Sequence, residues 1–163
     1  MATINFFFEN GIVVSGLKKK LLRDELSIYV LLYKRKILNL NFVFCIDQYL
    51  LEINKKYLFH NTFTDIITFN NSTTVEKIEG DIFISLERVY DNSIQLETDF
   101  TDEFNRVIIH GVLHLIGFSD KTKKETTLMR NAENKFIQQL NVPRGTYKYV
   151  SRGTPNECLK NTM

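Results

Sequence analysis

Cysteine is scarce in this chain of 163 residues. Only Cys45 and Cys158 occur, the first in an apolar run and the second in a polar stretch far downstream. That scarcity excludes a disulfide-stapled scaffold, and the spacing excludes a zinc ribbon. Two buried or idle thiols in a reducing, cytoplasmic setting are expected instead. Long apolar runs are missing as well; none reaches membrane-spanning length. The opening MATINFFFEN carries no positive charge and no small-residue cleavage site follows it, so no signal peptide is expected. Charge of one sign is not in excess either. The 21 basic and 19 acidic residues leave a net charge of +2, too little to argue for a nucleic-acid partner on its own. The basic groups Lys18, Lys19, Lys20 and Arg23, and Lys34, Arg35 and Lys36, read as solvated helix faces when taken alone. Histidine is the last scarcity. There are three, and two of them stand four positions apart in HGVLHLIGFSD, residues 110–120.

What is present is ordinary globular material. Hydrophobic residues make up 44% and charged residues 25%, and the length suits one domain with a real core. INFFFEN (4–10) reads as a short strand. Ser15 is placed to cap a helix running to about Lys34, with Leu17, Leu21, Leu22 and Leu26 on one face. LNLNFVFCI (38–46) reads as a strand buried on both faces near its end. Asp47 is placed to cap the helix that follows, where Leu50, Leu51, Ile53 and Tyr57 share a face. TDIITFN (64–70) and GDIFISLERV (80–89) read as strands joined by a polar loop, with Ile82, Ile84 and Leu86 on one side of the second. A capping signature at Thr101, Asp102 and Glu103 opens a buried helix that Gly117 can end, since glycine takes a left-handed conformation freely. Thr122 then caps a helix over 123–140 with Leu128, Met129, Ala132, Phe136 and Ile137 inward. From Pro143 the apolar content falls. The expectation is a single α/β (α+β) domain over residues 1–142, with a mixed sheet of about four strands and element order β-α-β-α-β-β-α-α. A loosely ordered polar tail over 143–163 completes the chain.

On the helix that ends at Gly117, a four-residue step rises about 6 Å and turns just past one rotation. His110 and His114 therefore share a face and can share a metal ion. The reversal at Gly117 allows Asp120 to swing back to the same point. Two nitrogen donors and one oxygen donor leave a coordination position open, as a catalytic zinc site does and a closed structural site does not. The competing reading makes both histidines core residues bonded to backbone, with Asp120 or Thr122 capping the final helix. Gly111 stands where a metalloprotease of the HExxH type carries its glutamate base, which argues against a peptidase.

HGVLHLIGFSD, followed by Met129 and Glu133, resembles the HGxLHLxGYDH signature of the bacterial YbeY family of endoribonucleases and rRNA maturation factors. TDIITF (64–69) is similar to that family's TDVLSF strand and GDIFIS (80–85) to its GDIxIS segment, so the likeness spans roughly residues 40–140. The resemblance implies a mixed α/β fold and one Zn2+ per chain held by three side chains, with His110 and His114 as the first two. It also implies a cytoplasmic single-strand-specific endoribonuclease in small-subunit rRNA maturation and ribosome quality control. Its partners would be single-stranded RNA or rRNA and the ribosomal small subunit with its proteins; no membrane and no DNA are expected.

This chain departs from the family pattern at three points. Asp120 replaces the usual third histidine and adds a negative charge, although aspartate binds zinc through oxygen at about 2.0–2.2 Å. Leu58 stands at the position of a family arginine, and the proline of the family's SFPF is absent at TFN (68–70). His60, with Lys55 and Lys56 nearby, is the candidate for phosphate contact or proton transfer, and an exposed loop histidine is the competing reading of it. Phe59 or Phe63 is a candidate base-stacking platform, with core packing as the plainer alternative. The other functional classes are a non-catalytic ribosome-associated factor with a structural metal, a divergent zinc peptidase, and a non-haem iron site built from two histidines and a carboxylate.

Overall fold

The computed structural model describes residues 2–151. Strand β1 (Thr3–Phe8) is followed through a positive-φ turn at Asn10 and Gly11 by a short strand β2 (Ile12–Ser15). Helix α1 (Lys19–Leu31), strand β3 (Lys36–Cys45) and helix α2 (Asp47–Leu58) come next, then strands β4 (Ile66–Asn70) and β5 (Lys77–Ser85). Helices α3 (Leu86–Gln95), α4 (Phe100–Ile116) and α5 (Lys123–Leu140) follow, and strand β6 (Lys148–Ser151) closes the described chain. The main sheet has the order β1-β3-β5-β4. Both β1 and β5 run parallel to the central β3, while β4 pairs antiparallel with β5 at the edge. This is the expected mixed four-stranded sheet in one α/β domain. No helix among the described residues is long and apolar enough to cross a membrane.

Alternation along the strands sorts the two faces of the sheet. Leu40, Phe42 and Phe44 of β3 and Ile78, Ile82 and Ile84 of β5 point into the main core with Leu22, Leu26, Phe104, Ile108, Val112 and Phe136 from α1, α4 and α5. Phe44 lies between Phe8 and Phe104, at centroid distances of 5.0 and 5.3 Å. Cys45, Ile67, Phe69 and Phe83 face the other way, under Leu50 and Ile53 of α2. Burial pushes the Cys45 thiol up to about 12, so this residue is the inert thiol expected. Cys158 lies outside the described residues.

Several local expectations give way to tertiary packing. Ser15 does not cap α1; it ends β2, and α1 begins at Lys19 without a side-chain cap and stops at Leu31. Asp47 does not cap α2 but is its first residue. Its carboxylate instead accepts from Ser85 Oγ at 2.6 Å and Arg88 Nη2 at 2.9 Å, fastening α2 to α3. The strand expected through Val89 ends at Ser85, whose hydroxyl caps α3, so Leu86 is a buried helix residue rather than a strand residue. Asp99 caps α4, while the Thr101 hydroxyl accepts from the Tyr147 N–H. Leu128 points outward and is exposed.

The described part of the stretch expected to be a tail is packed. β6 pairs antiparallel with β2, and Tyr147 and Tyr149 are buried. The apolar content of 143–151 is low, yet its two tyrosines fill a groove beside Phe100 and Phe104, which is why the segment is held. Residues 152–163 lie outside the described residues. Removing the Tyr147 ring should therefore cost stability, not only local order. Tyr147→Ala is expected to destabilise the protein by about 3–5 kcal/mol, as large-to-small aromatic core changes do. A urea titration followed by circular dichroism measures this, and an unchanged midpoint would show that the packing of Tyr147 is dispensable.

Candidate metal centre

Helix α4 lies against the sheet with Gly111 inward. A Cβ there would come within 2.9 Å of Ile66 Cδ1 and 3.0 Å of Ile82 Cγ2. At about 100° per residue, a helix rotated to put Gly111 on the sheet carries Glu103, Arg106, Val107, His110 and His114 along one flank. That flank faces α5, where Thr126, Met129, Arg130 and Glu133 form the opposing stripe at helical spacing. Between them is a cavity of about 270 Å³ lined by these residues together with Asp65 and Asp120; His114 alone of them lies outside the lining.

The loop between the two helices delivers Asp120. Gly117 ends α4 at φ 119°, and its N–H donates to the His114 and Leu113 carbonyls. Phe118 then packs edge-on to Tyr33, 5.4 Å between centroids, which pins the loop. Thr122 and Glu125 form a reciprocal capping box on α5, so Asp120 is not needed as the cap and its carboxylate is left for the site.

Three donor atoms converge. His110 Nε2 and His114 Nε2 are 3.0 Å apart, and Asp120 Oδ2 lies 3.4 Å from the first and 3.5 Å from the second. Donors held tetrahedrally at 2.0–2.1 Å from one ion are separated by about 3.3–3.4 Å, so the triangle has the size a zinc-like cation requires. The tautomers agree with this. His114 Nδ1 is 3.1 Å from the Phe118 carbonyl oxygen, which can only accept, so Nδ1 donates. His110 Nδ1 is 2.6 Å from Glu133 Oε2 and donates to it. Both Nε2 lone pairs then point at the same place, where two neutral imidazoles repel unless a cation or a proton stands between them. The three residues are a group able to hold a metal ion.

Glu133, with Asp65, joins this cluster although the sequence reading gave neither a role. Glu133 is buried, and its Oε1 also accepts from Arg106 Nη1 at 3.1 Å, with Arg130 Nη1 3.6 Å away. Burial works to raise its pKa, but the bonds from His110 and Arg106 outweigh it and hold the carboxyl below its usual range. For His110, burial works to lower the pKa, and the Glu133 bond with the charges of Glu133, Asp120 and Asp65 raises it above the ordinary imidazole value. Burial also pushes Asp65 and Glu103 up, opposed chiefly by His110 for the first and Arg106 for the second. A sequence-level signal did exist: Glu103, Arg106 and His110 recur on one face of α4, as Thr126, Arg130 and Glu133 do on α5.

The other candidates lie elsewhere. His60 is exposed and lines a separate hollow with Asn54, Leu58, Thr62 and Phe63, not the cavity at His110. Lys56 is exposed, its ammonium 5.2 Å from the Tyr57 ring centroid, and Lys55 is also exposed. Phe59 is 88% exposed and so has no core role, and Phe63 is exposed beneath the Arg88 guanidinium.

In the metal-free protein the His110 contribution to stability is complete below the ordinary imidazole pKa and lost as pH rises through its raised value. The Glu133 contribution is present above the ordinary carboxylate range and lost as pH falls through its depressed value. Metal uptake requires the His110 proton to leave, so affinity should climb with pH across the range in which His110 titrates. Glu133→Gln should move the His110 titration, followed by NMR on metal-free protein, to lower pH. It should also weaken metal affinity by about 10–100-fold, the usual effect of losing a carboxylate behind a ligand histidine. A His110 titration that stays in place would show that Glu133 does not set it.

The chain is similar to known proteins over most of its length. The family described as endoribonuclease YbeY matches residues 15–141. The endoribonuclease YbeY of Cytophaga hutchinsonii is 45% identical over 129 residues, covering 79% of this chain and 90% of its own. That of Christiangramia forsetii is 42% identical over 139 residues, covering 85% and 95%. That of Porphyromonas gingivalis strain W83 is 38% identical over 140 residues, covering 86% and 91%. A Thermotoga maritima protein solved in solution shares the fold with a TM-score of 0.59 at 24% identity, over 86% of this chain and 89% of its own.

Proposed function

The chain belongs to the YbeY endoribonuclease family, and from that membership and its site we infer that it is a metal-dependent endoribonuclease of rRNA processing. The finer parts of the proposal are the metal, the ligands and the substrate. The metal is Zn2+, one per chain, held by His110, His114 and Asp120. The substrate is single-stranded RNA, with small-subunit rRNA in the cytoplasm as its natural form and the ribosomal small subunit as partner. The observation that carries this reading is the convergence of three donor atoms while both histidine Nδ1 atoms are already engaged.

When bound, such a cation offsets charge on the scissile phosphate and makes a water more acidic. The chain's own residues do the rest. Glu133 and the Phe118 carbonyl hold the two imidazoles in one tautomer and orientation. Asp65, a half-buried carboxyl in the same cavity with a raised pKa, stands where a proton can be held or passed. His60 and Lys56, on an exposed surface outside the cavity, serve as backbone-phosphate contacts, and Phe59 offers an exposed ring on which a base can stack.

The alternatives lose ground for physical reasons. Gly111 is packed onto Ile66 and Ile82, so no glutamate can stand beside His110 as the base of a peptidase. A structural metal would be enclosed by four ligands, whereas this triangle borders an open cavity beside Asp120, whose side chain is 42% exposed.

Purified protein should cleave a labelled single-stranded RNA, stop when treated with a strong chelator, and recover on readdition of zinc. His114→Ala should lose both bound metal, measured by mass spectrometry, and cleavage by at least about 10²-fold. Cleavage that persists unchanged in this variant would exclude the mechanism.

A further inference from the structure

Two guanidinium groups reach the metal cavity, and their engagements differ. Arg106 is mostly covered and bonds Glu133 Oε1 at 3.1 Å, holding the buried carboxylate in place. Arg130 is 56% exposed, and its one ion pair among the described residues is a 3.6 Å approach to the oxygen that Arg106 already occupies. Its five N–H donors make no hydrogen bond among the described residues. An arginine in that state is a fork held open beside the ligands.

We propose that Arg130 grips the scissile phosphodiester of the RNA, a role that rests on the endoribonuclease reading above. The chemistry of the cavity calls for such a group. Asp65, Glu103, Asp120 and Glu133 contribute four carboxylates against two guanidiniums, a formal charge of −2. A divalent cation brings that only to neutrality, so a phosphate entering beside Asp120 finds no net attraction in the lining. Arg130 supplies directed attraction at the one point where, among the described residues, a cation is both at the cavity and accessible. Guanidinium donates two parallel N–H bonds to two phosphate oxygens, which orients the group as well as holding it. The weak Glu133 contact keeps the side chain over the cavity, and exchanging it for a phosphate leaves Glu133 still bonded by Arg106 and His110. The same contact exists for every nucleotide sequence, so Arg130 contributes to cleavage and not to base choice.

The test uses the full chain loaded with zinc. Arg130→Gln, Arg130→Lys, His114→Ala and the control Lys135→Gln, an exposed cation on the same helix outside the cavity, are compared on a labelled single-stranded RNA. Affinity is measured separately with a 2′-O-methyl single strand that resists cleavage. The expected result for Arg130→Gln is a fall in kcat/KM of about 10²-fold, the size typical of a lost charge-stabilising donor, with unchanged metal content and melting temperature. Its affinity should drop with a salt dependence shallower by about one phosphate contact. Arg130→Lys should recover part of both, and Lys135→Gln should match wild type. Cleavage and binding by Arg130→Gln within twofold of wild type would overturn the proposal. So would an equal loss in Lys135→Gln, or a fall in metal content that tracks the lost activity and so puts the effect in Glu133. If His114→Ala cleaves as wild type does, the metal reading fails, and the affinity comparison of Arg130→Gln with Lys135→Gln still decides the role of Arg130.

Discussion

Two glycines govern how closely the central helix approaches the sheet. A Cβ on Gly80 would come within 2.7 Å of the Phe69 carbonyl oxygen and 2.9 Å of Leu115, and one on Gly111 would press on Ile66 and Ile82. Their bareness lets α4 descend onto β4 and β5, and the contact fixes its rotation as well as its height. Everything chemical in the molecule depends on that rotation. His110 and His114 have neighbours in sequence that are among the most buried residues of the chain, yet they sit on the flank where α4 meets α5. Had the helix rolled by one residue, about 100°, the histidines would face the sheet or open solvent.

The flank is then held by polar groups rather than by packing alone. A buried carboxylate is costly in isolation, and Glu133 escapes the cost through hydrogen bonds from His110 and Arg106. This makes one network of α4 and α5, and its geometry is set from outside. Tyr29 of α1 donates to the Ala132 carbonyl at 2.6 Å, one residue before Glu133, and lies against Phe136. Tyr33, one helical turn on, meets Tyr29 and receives Phe118 from the metal loop. Helix α1 and the turn that follows it therefore steady both Glu133, behind His110, and the loop that carries Asp120.

How much of this could be read in advance follows from the range of each interaction. The HxxxH spacing, the stop at Gly117 and the capping box at Thr122 are local, and their consequences hold in the folded chain. The caps expected at Ser15, Asp47 and Thr101 are local candidates too, but each side chain or segment found a distant partner. Asp47 went to Arg88, Thr101 to Tyr147, and Ser15 joined a strand pair spanning the chain. The strands β2 and β6 are four residues each and pair across more than 130 positions, so no window of sequence contains the pattern that creates them. Helix α3 was hidden because Ser85 ends a strand and caps a helix at once, with no turn residue between. Glu133 and Asp65 escaped assignment for a different reason. A charged residue on an amphipathic helix or before a strand looks solvated until the facing element docks, and only docking buried Glu133 and half-covered Asp65 beside the site.

Electrostatics in the cavity explains why an aspartate suits the third corner of a donor group able to hold a metal ion. Two Nε2 lone pairs at 3.0 Å demand a positive centre between them, and a proton or a metal cation can provide it. Here Asp120 adds a negative charge 3.4–3.5 Å from both nitrogens, which stabilises either occupant. A divalent ion, carrying twice the charge and binding all three donors at once, gains more from that addition than a proton shared by two. The same carboxylate that would hold a cation also cancels part of the attraction the cavity would otherwise exert on a phosphate. The donors that compensate must stand at the rim, free of permanent partners, and on this flank of the molecule that position belongs to α5.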